Sequence, residues 1–108
     1  MDKREIQKLK NILSQLLQRK GINVDKIILF GSTLKGIFDK ESDIDLMIIS
    51  DDFRNKDIFE RVEMTNGIHR ELVRNIGRPL DIMYYSDIEW ENSNSPIINT
   101  GKLEGQIL

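Results

Sequence analysis

Apolar residues recur along this chain in two rhythms, which divide it into helices and strands. Within residues 2–20, Ile6, Leu9, Ile12, Leu13, Leu16 and Leu17 fall at steps of three and four, lining one side of a helix. Asp2, with Glu5 three positions later, resembles a capping box, and Gly21 supplies the stop. The opposite face mixes both charge signs, which favours packing on a core over lying on a membrane. Lys26-Ile27-Ile28-Leu29-Phe30, bounded by Asp25 and Gly31, reads as a buried strand. Residues 32–35 suit the first turn of a short helix ended by Gly36, and residues 44–49 form a second apolar strand. Ile58, Val62, His69, Leu72 and Val73 predict one amphipathic helix over about 56–75, weakened at Asn66-Gly67 and ended by Gly77. Pro79 precedes a third strand over 80–85. In the tail, 86–108, Ser86 predicts the cap of a short helix through Trp90, and Ser95-Pro96 opens another. This order defines an α/β (α+β) class, a small sheet with helices packed on it.

Length and charge narrow the picture. A chain of 108 residues is expected to form one domain over 1–108. Sixteen basic residues against eighteen acidic ones leave a formal charge of −2, which gives no direct sign of nucleic-acid binding. The absence of cysteine excludes disulfides and thiolate metal sites, and makes a cytoplasmic location the expectation. No apolar run approaches the roughly 20 residues that cross a bilayer, and the charged start Met1-Asp2-Lys3-Arg4-Glu5 is unlike a signal core, so no membrane partner is expected.

The chemistry concentrates in Leu29-Phe30-Gly31-Ser32-Thr33-Leu34-Lys35-Gly36 and Glu41-Ser42-Asp43-Ile44-Asp45-Leu46. A glycine at a strand end lets backbone approach an anion, and a following helical turn aims free N–H groups at it. Ser32 adds a hydroxyl for a phosphate oxygen. On a strand, residues two apart face the same way, so Asp43 and Asp45 project together, their Cα atoms roughly 6–7 Å apart. Two bare carboxylates repel, and a divalent cation removes that penalty. Oxygen-only ligands beside substrate phosphates favour magnesium. Asp81, a charge at the start of an apolar strand, faces either a cleft or solvent; beside Asp43 and Asp45 it completes a set able to share two metals.

Gly31-Ser32, Ser42-Asp43-Ile44-Asp45 and a distant strand aspartate resemble the nucleotidyltransferase superfamily that includes DNA polymerase β. The wording looks most like the minimal nucleotidyltransferases, many of them antitoxins encoded beside a helical HEPN-domain protein. The resemblance covers about residues 24–85 and implies a mixed-sheet core and a magnesium-bound nucleoside triphosphate such as ATP. It further implies transfer of a nucleoside monophosphate to an acceptor, in antitoxin members a tyrosine of the partner toxin. Carried over by position, it implies that Gly31 and Ser32 hold triphosphate, with Ser42 and Lys35 beside them. Asp43 and Asp45 bind metal, and Asp81 completes the site as base or ligand. Many relatives carry Ala-Arg where this chain has Leu34-Lys35, so Lys35 meets phosphate as a point charge, or stands as a solvated turn lysine.

Other residues carry plainer readings. His69 falls on the helical stripe and reads as a packed or surface histidine, while Asp51 and Asp52 cap a turn. Tyr84, Tyr85 and Trp90 read as core and edge packing. The acceptor is expected on another protein; a homo-oligomer, a non-catalytic antitoxin that works by docking, and modification of a small hydroxylated compound stay open.

Overall fold

The computed structural model describes residues 1–31 and 43–108. Helix α1 (Lys3–Arg19) is followed by strands β1 (Lys26–Phe30) and β2 (Ile44–Ile49). After a short 3-10 turn (Asp51–Phe53) come α2 (Ile58–Met64), α3 (Ile68–Ile76), β3 (Leu80–Tyr85), α4 (Asp87–Asn92), α5 (Pro96–Glu104) and β4 (Gln106–Ile107). The strands form one sheet in the order β3-β2-β1-β4, with β1 antiparallel to both β2 and β4 and β2 parallel to β3. The sheet is therefore mixed. No helix among the described residues is long and apolar enough to cross a membrane.

Both faces of the sheet are covered, by different elements. Leu9, Leu13 and Leu17 of α1, with Ile68 and Leu72 of α3, pack on the face that carries Ile27, Leu29, Ile44, Leu46 and Ile48. Trp90 of α4 and Ile98 of α5 cover the other face, on Ile28, Phe30, Met47 and Ile49. Burying one such leucine side chain stabilises the fold by about 1.5–3 kcal/mol. Leu46 is fully buried against the α1/α3 layer. Leu46→Ala is accordingly expected to cost about 2–5 kcal/mol, read as a lower midpoint in urea unfolding.

Local chemistry explains where helices begin and end. The Asp2 carboxylate accepts from the Glu5 backbone N–H at 2.8 Å, and the Glu5 carboxylate meets Arg78 at 3.7 Å. Ser86 and Glu89 form a reciprocal capping box at α4, as the Ser86 cap predicted. The predicted helix over 56–75 is instead two. Gly67, at φ +86°, sits in the left-handed region between Met64 and Ile68, a conformation that ends one helix and redirects the next. The break leaves Ile58 and Val62 exposed, together with Phe59, so α2 buries no residue and the predicted single stripe does not exist. The aromatic cluster is also divided: Tyr84 packs with the α1 side, Tyr85 and Trp90 with the other. β4 escaped prediction because two residues carry no periodicity. The predicted turn over 32–35 and its Gly36 stop lie outside the described residues.

Candidate active site

Three strand ends meet at one end of the sheet: the C-terminus of antiparallel β1 and the N-termini of β2 and β3. Asp45 pairs in register with Asp81 across the parallel strands, so the two side chains stand on the same face, about 4.8 Å apart at the backbone. The entry of β2 beside β3 is fastened by the Ile44 N–H, which donates to the Pro79 carbonyl at 2.9 Å. Asp43 precedes β2 by one residue and is exposed, as is Asp81; Asp45 is half-buried. Burial pushes the Asp45 carboxyl above the usual carboxylate range, and the negative charges of Asp81 and Asp43 push it further. The two other aspartates singled out in the sequence thus both act on Asp45.

Gly31 closes the site from the β1 side. Phe30 is the register partner of Asp45, and Gly31 follows it with φ +92°. A Cβ at this position would stand 2.1 Å from the Asp45 Oδ2 and 3.0 Å from its Cγ. Glycine is therefore required twice, by the backbone conformation and by the carboxylate lying against it. Sequence reasoning expected Gly31 to receive phosphate and missed its close packing on Asp45, because the antiparallel register that brings it there is not a local signal. Ser32, Lys35 and Ser42 lie outside the described residues.

The charge arrangement fits a cation. Among the described residues no three His, Cys, Asp or Glu side chains converge as a ready-made metal cage. Magnesium does not ask for one: it usually keeps several waters and binds one or two carboxylates together with substrate phosphates. Asp43, Asp45 and Asp81 are oxygen donors whose mutual repulsion a divalent cation would relieve.

Other polar residues are occupied structurally. His69 Nε2 lies 2.7 Å from the Leu80 carbonyl, so that ring nitrogen donates and His69 secures the outer edge of β3. Arg61 donates to the Tyr84 and Phe53 carbonyls at 2.9 Å each and pairs with Glu89 at 2.6 Å. Asp51 and Asp52 do not cap the turn as expected: the Ser50 hydroxyl caps it, and the Asp52 carboxylate instead accepts from the loop N–H of Asn23 at 2.7 Å. Among the described residues a groove of about 470 Å³ runs beside β3, lined by Ile58, Val62, Met83 and Tyr85 among others. Met83 and Tyr85 share the strand face of Asp81.

A mixed sheet covered by helices on both faces, with paired aspartates at the head of its parallel strands, is the architecture of nucleotidyltransferases. The chain belongs to the nucleotidyltransferase domain family, whose profile matches residues 6–103, and it is a nucleotidyltransferase. Its fold is similar to that of a chain in a toxin–antitoxin crystal structure with AMP-PNP: 20% identity and a TM-score of 0.64 over 90% of this chain and 69% of that one. A protein from Sulfolobus solfataricus, provisionally assigned as a nucleotidyltransferase, is similar at 16% identity and a TM-score of 0.57, over 99% of this chain and 87% of that one. At such identities the likeness concerns the fold alone. No curated protein matches the chain.

Proposed function

We propose that this nucleotidyltransferase moves AMP from magnesium-bound ATP onto a hydroxyl of a partner HEPN-type toxin, and so acts as its antitoxin. The observation that carries the reading is the in-register pair of Asp45 and Asp81, with Asp43 close enough to add to their repulsion. The structural neighbour solved as a toxin–antitoxin pair with AMP-PNP supports both nucleotide and partner.

In this reading Asp43 and Asp45 hold the cation, and Gly31, Ser32, Lys35 and Ser42 receive the triphosphate. When bound, magnesium would lower the pKa of the acceptor hydroxyl and offset charge on the departing pyrophosphate. Asp81, exposed beside Asp45, takes the acceptor proton or joins the ligands. The acceptor oxygen forms its bond to the α-phosphorus as the bond to the pyrophosphate oxygen breaks. Gly31 keeps the Asp45 carboxylate in place against the backbone, so orientation is set before substrate arrives.

A second reading, neutralisation by docking without transfer, draws on the exposed Ile58, Phe59 and Val62 beside the β3 groove. One experiment separates the two. With α-labelled ATP, magnesium and the purified partner, transfer predicts a labelled partner band that disappears in Asp43→Asn/Asp45→Asn, together with loss of neutralisation. Neutralisation that survives in the double variant sinks the catalytic reading in favour of docking.

A further inference from the structure

The near-neutral charge of the whole chain conceals a segregated one. α1 and α3, which pack together on one face of the sheet, hold seven basic residues against the two acidic ones Glu5 and Glu71. Both carboxylates are engaged, Glu5 with Arg78 at 3.7 Å and Glu71 with Arg74 at 3.1 Å. Lys3, Arg4, Lys8 and Arg19 on α1, with Arg70 on α3, are exposed. On the sheet's other face α4 carries Asp87, Glu89 and Glu91 with no cation of its own, although Arg54 and Arg61 pair with the first two and α5 adds Lys102. The Arg78–Glu5 contact sets the end of α3 beside the first turn of α1, so the two sets of cations belong to one surface.

What this surface lacks is as telling as what it holds. The exposed large hydrophobic residues among those described, Ile58, Phe59, Val62, Ile88, Ile97, Leu103 and Ile107, all lie outside α1 and α3. Protein interfaces are built around an apolar core, and amphipathic helices on lipid insert one, so neither partner suits this face. Exposed Phe, Tyr and Trp rings, the platform for unstacked bases, are missing from it too, and the His69 ring is held on the Leu80 carbonyl. Between the cations, α1 instead exposes a ridge of primary amides, Gln7, Asn11, Gln15 and Gln18. Phosphates alone give an amide only acceptors. Ribose 2′-hydroxyls, displayed with phosphates across the wide shallow minor groove of an RNA helix, also donate.

We infer that the α1/α3 face is a docking surface for the backbone of double-stranded RNA, on the side of the sheet opposite Asp45 and Asp81. It is independent of the transfer reaction proposed above.

The test uses the whole chain, a fluorescently labelled 20-base-pair RNA duplex and fluorescence anisotropy, with DNA duplex, single-stranded RNA and polyglutamate as competitors. Binding is expected in the range of about 1–100 μM at physiological salt, weakening steeply as salt rises. Arg4→Glu/Lys8→Glu/Arg70→Glu should lose at least about tenfold, since each cation contributes to phosphate neutralisation. Gln15→Ala/Gln18→Ala should weaken RNA duplex binding more than DNA duplex binding. Circular dichroism and thermal melting establish that both variants are folded; were the charge-reversal variant unfolded, Arg4→Gln/Lys8→Gln takes its place. Asp43→Asn/Asp45→Asn should bind RNA as the wild type does, so failure of the transferase reading leaves this result untouched. Absence of duplex binding at low salt, binding that survives the charge reversal, or equal preference for DNA overturns the proposal. Tighter binding of polyglutamate overturns it in favour of an acidic protein partner.

Discussion

Gly31→Ala is expected to cut nucleotidyl transfer by about 100-fold or more, the scale on which a displaced catalytic group loses rate. The added methyl would stand 2.1 Å from the Asp45 Oδ2, so the carboxylate must leave its place beside Asp81. Because φ at this residue is +92°, alanine also strains the backbone and lowers stability by about 1 kcal/mol or more. The two effects are separable. Transfer is measured with α-labelled ATP under conditions where urea titration shows the variant fully folded, and across a magnesium series. If folded Gly31→Ala keeps near-normal transfer at low magnesium, the glycine is not holding the carboxylate.

Asp45→Asn is expected to have opposite effects on activity and on metal-free stability. Transfer should fall by about 100- to 1000-fold, as when a group stabilising transition-state charge is removed. The melting temperature of the metal-free protein should instead rise by a few degrees at pH 7. Burial first, then Asp81 and Asp43, hold the Asp45 carboxyl above its ordinary pKa in the folded state. The folded protein therefore binds that proton more tightly than the unfolded chain does. Stability from this group is present at low pH and is lost as pH rises from the unfolded carboxylate value through the raised folded one. Above that window the ionised side chain opposes folding, and asparagine removes the opposition; solvent at this half-buried site keeps the effect small. Magnesium should raise the melting temperature of the wild type and leave that of the variant unchanged. Equal melting temperatures without metal, combined with equal stabilisation by magnesium, would show that these aspartates are not a repulsive, cation-seeking group.

The same placement is the source of the stability cost expected of the site. Leu46 and Ile44 on the alternate positions of β2 are fully buried under the α1/α3 layer. Asp45 shares its strand face with Met47 and Ile49, both fully buried under α4 and α5, so the carboxylate stands where the apolar cover runs out. A strand whose other residues are held on both faces can keep one charged side chain fixed against its neighbours' repulsion.

Patterns of local period were enough to define α1, β1, β2 and β3, because each carries its apolar spacing within a few residues, while the two short helices of the tail were legible only from Ser86 as a cap and from Ser95-Pro96 as an opening. Asp43 and Asp45 were legible as a pair for the same reason, since a strand repeats every two residues. Three matters needed the tertiary structure. The parallel register that sets Asp81 against Asp45 joins residues 36 positions apart in the chain, and strand order is a property of packing rather than of any segment. The break at Gly67 turned an expected core stripe into an exposed apolar helix, because a single left-handed residue reorients all that follows. A net charge of −2 said nothing of the basic α1/α3 layer, since a sum over residues carries no direction until folding assigns each one a face.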